Sequence, residues 1–595
     1  LQDKWPALLT LIKVGRVLWT TKANPIIRSF QMSSQRIVII GGSAAGPKAA
    51  ARAKRLDQKA EVTLIQKAPE LSMASCGYPY YVEGVFTERA CLLSTPTGVI
   101  RDTTFFNGAK GVIAKVNTEA TAIDRAAKTI QTLDLLTGEK QHLPYDKLIL
   151  CTGTTPRLPP ITGLDLNGIY GLNSLADADA LRALVSEGKH KTAIILGGGL
   201  IGVETCEALT QSGLNVTIVE RLPHILASLD PEISAIATAH VKSKGVQIIA
   251  GIGVTEFIDK NGKICGAKLE DGREISCDMA VIATGVKPNV KLATDAGLAI
   301  GELGGITVDE RMQTSDANIF AAGDCVEVMH RITGKKTHAP YGDLANLEGR
   351  VAADNATLGP VSKFPGTIDS GICKLFDISA GSTGLSETRA RAAGFDVTVA
   401  VGASPDKPGF MGANLLMSKM VAETSTGRVL GFQCVGPGTV SRQLATAATA
   451  IAGNMTVDDM SMLDLPYAPP FSLAIDHSIA ACHLIQNKLR GLMQGITCLD
   501  VKAKLDAGET PFLLDVRAPF EFDEMRLGIG ETLIPLGMLK KRMGELPQDK
   551  SAEIIAYCKV SMRGYEAQRV LQDHGFTNVH VMEGGIMCWP FPREK

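Results

Sequence analysis

Thr192-Ala193-Ile194-Ile195-Leu196-Gly197-Gly198-Gly199-Leu200-Ile201-Gly202 is the stretch that decides the fold. An apolar run enters a glycine turn, a helical stretch follows over Val203–Ser212, and a second apolar run, Val216–Val219, ends at Glu220. Strand, turn, helix and strand in that order make a βαβ unit. Gly197, Gly199 and Gly202 have the spacing that permits a tight turn, close approach of backbone to a pyrophosphate, and tight helix–strand packing. The helix N-terminus adds N–H groups and a positive dipole for the phosphates. Glu220, about 20 residues on, suits a ribose diol and repels a 2′-phosphate, which favours NADH over NADPH. Arg221 beside it tempers that preference.

The pattern occurs twice. Arg36–Ile40 runs into Gly41-Gly42-Ser43-Ala44-Ala45-Gly46, a helical stretch covers Pro47–Leu56, and Val62–Ile65 leads to Gln66-Lys67. Here Ser43 replaces the middle glycine and Gln66 stands where an acid is expected. Each unit is followed by a strand ending in a threonine–glycine turn, at Thr152-Gly153 and Thr284-Gly285. Ile319-Phe320-Ala321-Ala322-Gly323-Asp324 delivers an aspartate after a glycine, suited to a flavin ribityl hydroxyl or a pyrophosphate. From Phe364 to Ile485 the texture changes to short alternating strands and an Ala-rich helix, Gln443–Ala452, which indicates an α+β domain. Asn487–Gly495 reads as a linker, and the remainder is α/β.

The 595-residue chain is long enough for about three to five domains. With 45% hydrophobic and 21% charged residues it has the make-up of a folded globular protein. Sixty-one basic and 62 acidic residues leave a net charge of −1, and aromatics are 5%, so neither the charge footprint nor the stacking platforms of a nucleic-acid binder are present. Thirteen scattered cysteines with no repeated CxxC pair indicate neither a zinc module nor a disulfide framework, so no metal is expected. A reducing, cytoplasmic setting fits them. No run of 18 or more uncharged apolar residues occurs, so no membrane span is expected. Leu1–Gln31 carries Lys4, Lys13, Arg16, Lys22 and Arg28 against Asp3. It reads as a targeting peptide or membrane-surface helix, or as a leader ahead of a natural start at Met32.

Two chemical sites stand out. Cys76, in Leu71-Ser72-Met73-Ala74-Ser75-Cys76-Gly77-Tyr78-Pro79-Tyr80, follows the first βαβ unit in a loop and has no nearby second cysteine, the next being Cys91. A lone cysteine is ordinarily a small core residue, but this placement marks a thiol that cycles through a mixed disulfide, persulfide or sulfenic acid. Cys558 opens the loop Cys558-Lys559-Val560-Ser561-Met562-Arg563 directly after the strand Ile554–Tyr557. A loop of that kind collects backbone N–H donors around the sulfur and stabilises an anionic persulfide.

The two units, the two threonine–glycine turns and Ala322-Gly323-Asp324, in this order, resemble the pyridine nucleotide–disulfide oxidoreductases, which hold FAD and NAD(P)H. The resemblance assigns FAD to the first unit, through Gly41, Ser43, Gly46, Gln66, Lys67, Gly323 and Asp324. It assigns NADH to the second, through Gly197, Gly199, Gly202, Glu220 and Gly285. The Cys76 segment resembles the Ser-x-x-x-Cys-Gly-x-Pro-Tyr signature of coenzyme A–disulfide reductases, with similarity over roughly Arg36–Leu489. In that family the tyrosine of Tyr467-Ala468-Pro469-Pro470-Phe471 crosses a homodimer interface to the other subunit's cysteine. Arg55, with Arg52 one turn away, falls where a coenzyme A phosphate is bound, and Ser72 and Ser75 flank the thiol as substrate contacts. Met73 and Ser75 replace a commoner Phe and Asn, and Ala44 stands where related peroxidases carry a histidine. Residues 496–595, with Leu514-Asp515-Val516-Arg517, Glu521-Phe522 and six residues from Cys558 to Arg563, resemble a rhodanese. The usual His-Ile-x-Gly-Ala stretch is changed to Arg526-Leu527-Gly528-Ile529-Gly530.

The expectation is an α/β chain with two Rossmann-like FAD and NAD(P)H domains, an α+β dimerisation domain and a C-terminal α/β rhodanese domain. The expected boundaries are an extension over 1–31, FAD-binding parts at 32–155 and 281–360, an NADH-binding domain at 156–280, a dimerisation domain at 361–486, a linker at 487–495 and the rhodanese at 496–595. The resemblance implies an FAD-dependent NADH oxidoreductase, with Cys76 and Tyr467 acting on coenzyme A disulfide, coenzyme A persulfide or polysulfide. Cys558 and Arg563 would pass sulfane sulfur in a homodimeric assembly serving small thiol, disulfide and persulfide substrates. The alternatives are an NADH oxidase or peroxidase using a Cys76 sulfenic acid, and a redox-sensing or sulfur-carrier scaffold.

Overall fold

A computed structural model describes residues 34–595, so the readings for Leu1–Gln31 lie outside the described residues. The first apolar runs form a parallel sheet in the order Ile319–Ala321, Lys147–Leu150, Arg36–Ile40, Glu61–Ile65, Ile113–Lys115. Its central strands are buried on both faces, which is why they read as continuous rather than alternating apolar runs. The second unit repeats the arrangement in the order Gln247–Ala250, Asn215–Glu220, Thr192–Leu196, Met279–Ile282, Ile169–Tyr170. Each unit also carries a three-stranded antiparallel meander, Thr118–Pro144 in the first and Val254–Ser276 in the second. The duplication therefore extends beyond the glycine turns.

Several boundaries differ from expectation. The helices after the glycine turns span Ala45–Leu56 and Leu200–Gln211, starting two or three residues early, because the last residues of each turn already follow the helical path. The strand Met279–Ile282 runs across the boundary expected at 280. The linker expected at 487–495 is shorter: helix His477–Leu489 takes its start, and Gly495–Ile496 pairs with Val579–Met582 inside the C-terminal sheet.

The two units are joined by a two-stranded crossing of Thr154–Pro156 with Val286–Pro288. It is pinned symmetrically. The Thr152 hydroxyl donates to the Asn289 carbonyl at 2.6 Å and the Thr284 hydroxyl to that of Arg157 at 2.5 Å. The N–H groups of Asn289 and Arg157 in turn donate to the Gly153 and Gly285 carbonyls, both at 2.9 Å.

Residues 371–436 form a five-stranded antiparallel sheet, with helices Val440–Ala452 and His477–Leu489 packed against it. The C-terminal domain is a five-stranded parallel sheet in the order Gly495–Ile496, Val579–Met582, Ile554–Tyr557, Phe512–Asp515, Thr532–Leu533. Its buried Glu583 reaches into the preceding domain, accepting from the Val401 N–H at 2.6 Å and pairing with Lys488. Among the described residues, no helix is long and apolar enough to cross a membrane.

His477, at the start of its helix, is buried between the Ser404 and Ser418 hydroxyls, at 2.6 and 2.7 Å. Burial pushes its imidazole down to about 4, against an opposing pull from Asp476. Between pH 6.5 and 4 the unfolded chain therefore binds a proton that the folded one refuses, and stability falls as pH falls through that window. The expected cost is about 3 kcal/mol by pH 4. A urea-midpoint series on wild type and His477→Gln checks this: the variant should lose less between pH 7.5 and 4.5.

Candidate functional site

The two glycine turns share one geometry. Gly41 and Gly197 have φ of +110° and +103°, a region costly for any residue with a Cβ. A Cβ at Gly46 would overlap the Gly41 carbonyl oxygen, and one at Gly202 would overlap that of Gly197. At Gly199, by contrast, a Cβ meets no protein atom within 4 Å. Ser43 occupies the corresponding position in the first turn and is exposed, so loss of that glycine leaves the turn intact.

The residues expected on the riboses also hold the turns. The Gln66 side-chain oxygen accepts from the Gly42 N–H at 2.8 Å, and a Glu220 oxygen accepts from the Gly198 N–H at 2.6 Å. The other Glu220 oxygen accepts from the Leu222 N–H at 2.7 Å. Because the Gly42 N–H fixes the amide oxygen inward, Gln66 turns an NH2 donor outward. Lys67 is exposed and paired with Glu119 at 2.8 Å. Gly323, with φ +83°, donates its N–H to buried Glu348 at 2.7 Å, and Asp324 follows. Burial raises the Asp324 carboxyl, opposed by His338 and Thr154.

Cys76 lies in a short turn, Ser75–Gly77, that leads into helix Tyr78–Glu83. The residue is exposed, and a Cβ at Gly342 would stand 3.8 Å from its sulfur. The thiol thus faces the N-terminus of the 17-residue helix Gly342–Leu358, a placement that favours a thiolate. Desolvation and the carboxylates of Glu204, Asp324 and Asp343 push the thiol up instead. Ser72 is in the left-handed region at φ +52° and its N–H donates to the Gly42 carbonyl at 2.7 Å, which ties the Cys76 segment to the first glycine turn.

Glu204 was not singled out in the sequence, and Tyr80 entered only as the last residue of the Cys76 signature. The Tyr80 hydroxyl donates to Glu204 at 3.0 Å, joining the Cys76 helix to the helix after the second glycine turn. Desolvation pushes the Glu204 carboxyl up to about 7. The available signal was positional: Glu204 lies two residues past Gly202, and Tyr80 four past Cys76.

The arginines expected on a phosphate separate. Arg55 is exposed, but Arg52 is taken by Asp354 at 2.6 Å, an ion pair that ties its helix to Gly342–Leu358. Tyr467 is 54% exposed on a loop with exposed Phe471 and Ile475, remote in sequence from Cys76.

In the C-terminal domain Cys558 is 1% exposed, while Lys559 and Met562 of its loop are exposed. Its carbonyl accepts from the Ile586 N–H at 2.9 Å, and the Ser561 hydroxyl accepts from the Gly584 N–H at 2.6 Å. Ser561 pays for that contact with a φ of +91°. Arg563 grips Glu521 through two bonds of 2.6 and 2.8 Å, which hold the Glu521 carboxyl down at about 2. The altered stretch Arg526–Gly530 is organised by Glu531, whose carboxylate accepts from the N–H groups of Leu527, Gly528 and Ile529. Among the described residues no cluster of three or more His, Cys, Asp or Glu could hold a metal ion.

Comparison with known families settles the lineage. The pyridine nucleotide-disulphide oxidoreductase family matches residues 35–339, its dimerisation domain matches 371–479, and the rhodanese-like domain matches 497–590. The chain belongs to the pyridine nucleotide-disulphide oxidoreductases. Over 93% of its length this oxidoreductase is similar to the whole of a solved NAD-dependent persulfide reductase from A. fulgidus, at 38% identity and a TM-score of 0.88. An NAD(P)H sulfur oxidoreductase (CoA-dependent) of Pyrococcus abyssi is 34% identical over 76% of this chain and 98% of its own length. An NADH oxidase of Methanocaldococcus jannaschii is 32% identical over 74% of this chain and 96% of its own.

Two outcomes follow from the site geometry of this oxidoreductase. Gly199→Ala should leave the melting temperature unchanged but weaken NADH binding about tenfold, whereas Gly202→Ala should lower the melting temperature itself. Fluorescence titration and thermal unfolding read the two effects separately. Glu204→Gln removes a negative charge that raises the Cys76 thiol, so its alkylation midpoint should move to lower pH by on the order of one unit. A pH series of iodoacetamide reaction rates measures it.

Proposed function

We propose that this oxidoreductase uses NADH to reduce coenzyme A disulfide, coenzyme A persulfide or polysulfide through one redox thiol, Cys76, and that its rhodanese domain supplies sulfane sulfur. The observation that carries the reading is the position of Cys76: an exposed thiol, tied to the first glycine turn through Ser72 and to the second unit through Tyr80 and Glu204. The first turn fits a flavin dinucleotide, since its middle position, Ser43, is exposed just before helix Ala45–Leu56 and Asp324 follows Gly323 at the end of strand Ile319–Ala321 of the same sheet. A flavin held there would supply the transfer of a hydride's electron pair from NADH to sulfur. NADH is favoured over NADPH because Glu220 places a carboxylate at the second turn, with Arg221 turned toward Glu270 at 3.9 Å.

The chain's own part begins with the Cys76 thiolate. It attacks one sulfur of R–S–S–R, forming a Cys76–S–S–R mixed disulfide and expelling RS⁻, which takes up a proton. Tyr467 of the partner subunit in a homodimer stabilises or protonates that leaving sulfur. Two-electron reduction of the mixed disulfide restores the Cys76 thiolate and frees the second thiol, so one NADH and one proton convert R–S–S–R to two RSH. Gly342 at its helix N-terminus steadies the thiolate between turnovers. Arg55, Ser72 and Ser75 contribute to coenzyme A binding. The Cys558 thiolate attacks the sulfane sulfur of a thiosulfate-type donor, expelling sulfite and becoming a persulfide, and a thiol acceptor takes that outer sulfur and frees the Cys558 thiolate, with Arg563 holding the loop through Glu521.

An anaerobic NADH-oxidation assay tests this on coenzyme A disulfide, coenzyme A persulfide, polysulfide and peroxide. Cys76→Ser should lose more than a hundredfold on the sulfur substrates while retaining flavin. Cys558→Ser should affect chiefly thiosulfate-type, polymeric or protein-bound sulfur donors. Turnover of peroxide or oxygen at rates matching the sulfur substrates would replace the reductase reading with that of an NADH oxidase or peroxidase.

A further inference from the structure

We propose that Glu348 is a positioning residue for the flavin, kept as the neutral acid under the first glycine turn, so that flavin binding at alkaline pH takes up a proton. The inference rests on the reading of that turn as the flavin site. Glu348 lies on helix Gly342–Leu358 and is 2% exposed. One of its oxygens accepts from the Gly323 N–H at 2.7 Å, immediately before Asp324. The next residue, Gly349, packs so closely on the Ala45 carbonyl, at the start of the first-turn helix, that a Cβ there would overlap it. The carboxyl therefore sits where the Gly323–Asp324 turn, the helix Ala45–Leu56 and its own helix converge.

Its electrical surroundings are one-sided. Asp324 on the strand-end turn and Asp343 on its own helix face it with negative charge, and the Cys151 thiol faces it from the end of strand Lys147–Leu150. Arg52 on the opposing helix is committed to Asp354. Desolvation, with those carboxylates, pushes Glu348 up to about 8 despite the Gly323 hydrogen bond. A pyrophosphate at the turn adds negative charge and removes water, and both raise the carboxyl further. Binding and protonation are then linked. Above pH 8 the flavin binds only as Glu348 regains its proton, and affinity falls toward tenfold per pH unit.

The test uses the full-length protein stripped of flavin and titrated with FAD by calorimetry at pH 7 and 9, in two buffers of different ionisation enthalpy. Wild type should take up close to one proton per FAD at pH 9 and almost none at pH 7. Glu348→Gln, which keeps the size and an acceptor for the Gly323 N–H, should bind FAD with no such uptake and with an affinity flat over that range. Absence of proton uptake by wild type at pH 9 overturns the inference without needing the variant, as does an unchanged pH slope in Glu348→Gln. Failure of wild type to bind FAD at pH 7 would overturn the flavin reading of the turn, and this inference with it.

Discussion

The structure depends on two places where a helix backbone touches a turn carbonyl, at Gly46 over Gly41 and at Gly202 over Gly197. No side chain fits there, and the contact directs each helix so that its N-terminal N–H groups face outward from the end of its strand. From that follow the parallel sheets, since a strand that feeds a helix must return on the same side to continue. The middle position is under no such internal constraint. Gly199 opens to space and Ser43 takes its place in the first turn, which separates the glycines that the fold requires from one that it does not.

The chemistry is built at junctions between these units. Cys76 belongs to neither sheet. Its segment is tied to the first turn by Ser72, to the second unit by the Tyr80–Glu204 bond, and faces the end of helix Gly342–Leu358. The C-terminal domain is anchored in a similar way. Glu583, one residue before the Gly584–Gly585 turn that supports the Cys558 loop, is buried against Val401 and Lys488 of the dimerisation domain. A buried ion pair gives little net stability because both charges are desolvated. Its effect here is geometric, because it fixes the Cys558 loop relative to the reductase.

Most of the architecture was legible because its signals are local. Apolar runs, glycine spacing and a cysteine followed by a short loop each lie within about a dozen residues, and strand burial on two faces makes the runs unmistakable. What escaped depends on partners far apart in the chain. Arg52 looked free until Asp354, some 300 residues on, was seen to claim it, and the Thr152–Asn289 and Thr284–Arg157 exchanges join turns more than 120 residues apart. Glu348 and Glu204 were illegible for a related reason: a glutamate on a helix is ordinarily solvated, and only tertiary burial makes its proton matter.

That burial gives the substitution at Gln66 a physical sense. Glu220 brings a full negative charge to the second turn, and both of its oxygens are occupied by backbone N–H groups that lie in the same chain segment or the adjacent turn. The first turn already has Asp324 beside it and Glu348 beneath it. A third carboxylate at position 66 would place another like charge beside that turn. An amide supplies the same acceptor to the Gly42 N–H and presents a donor on its other side, without the charge.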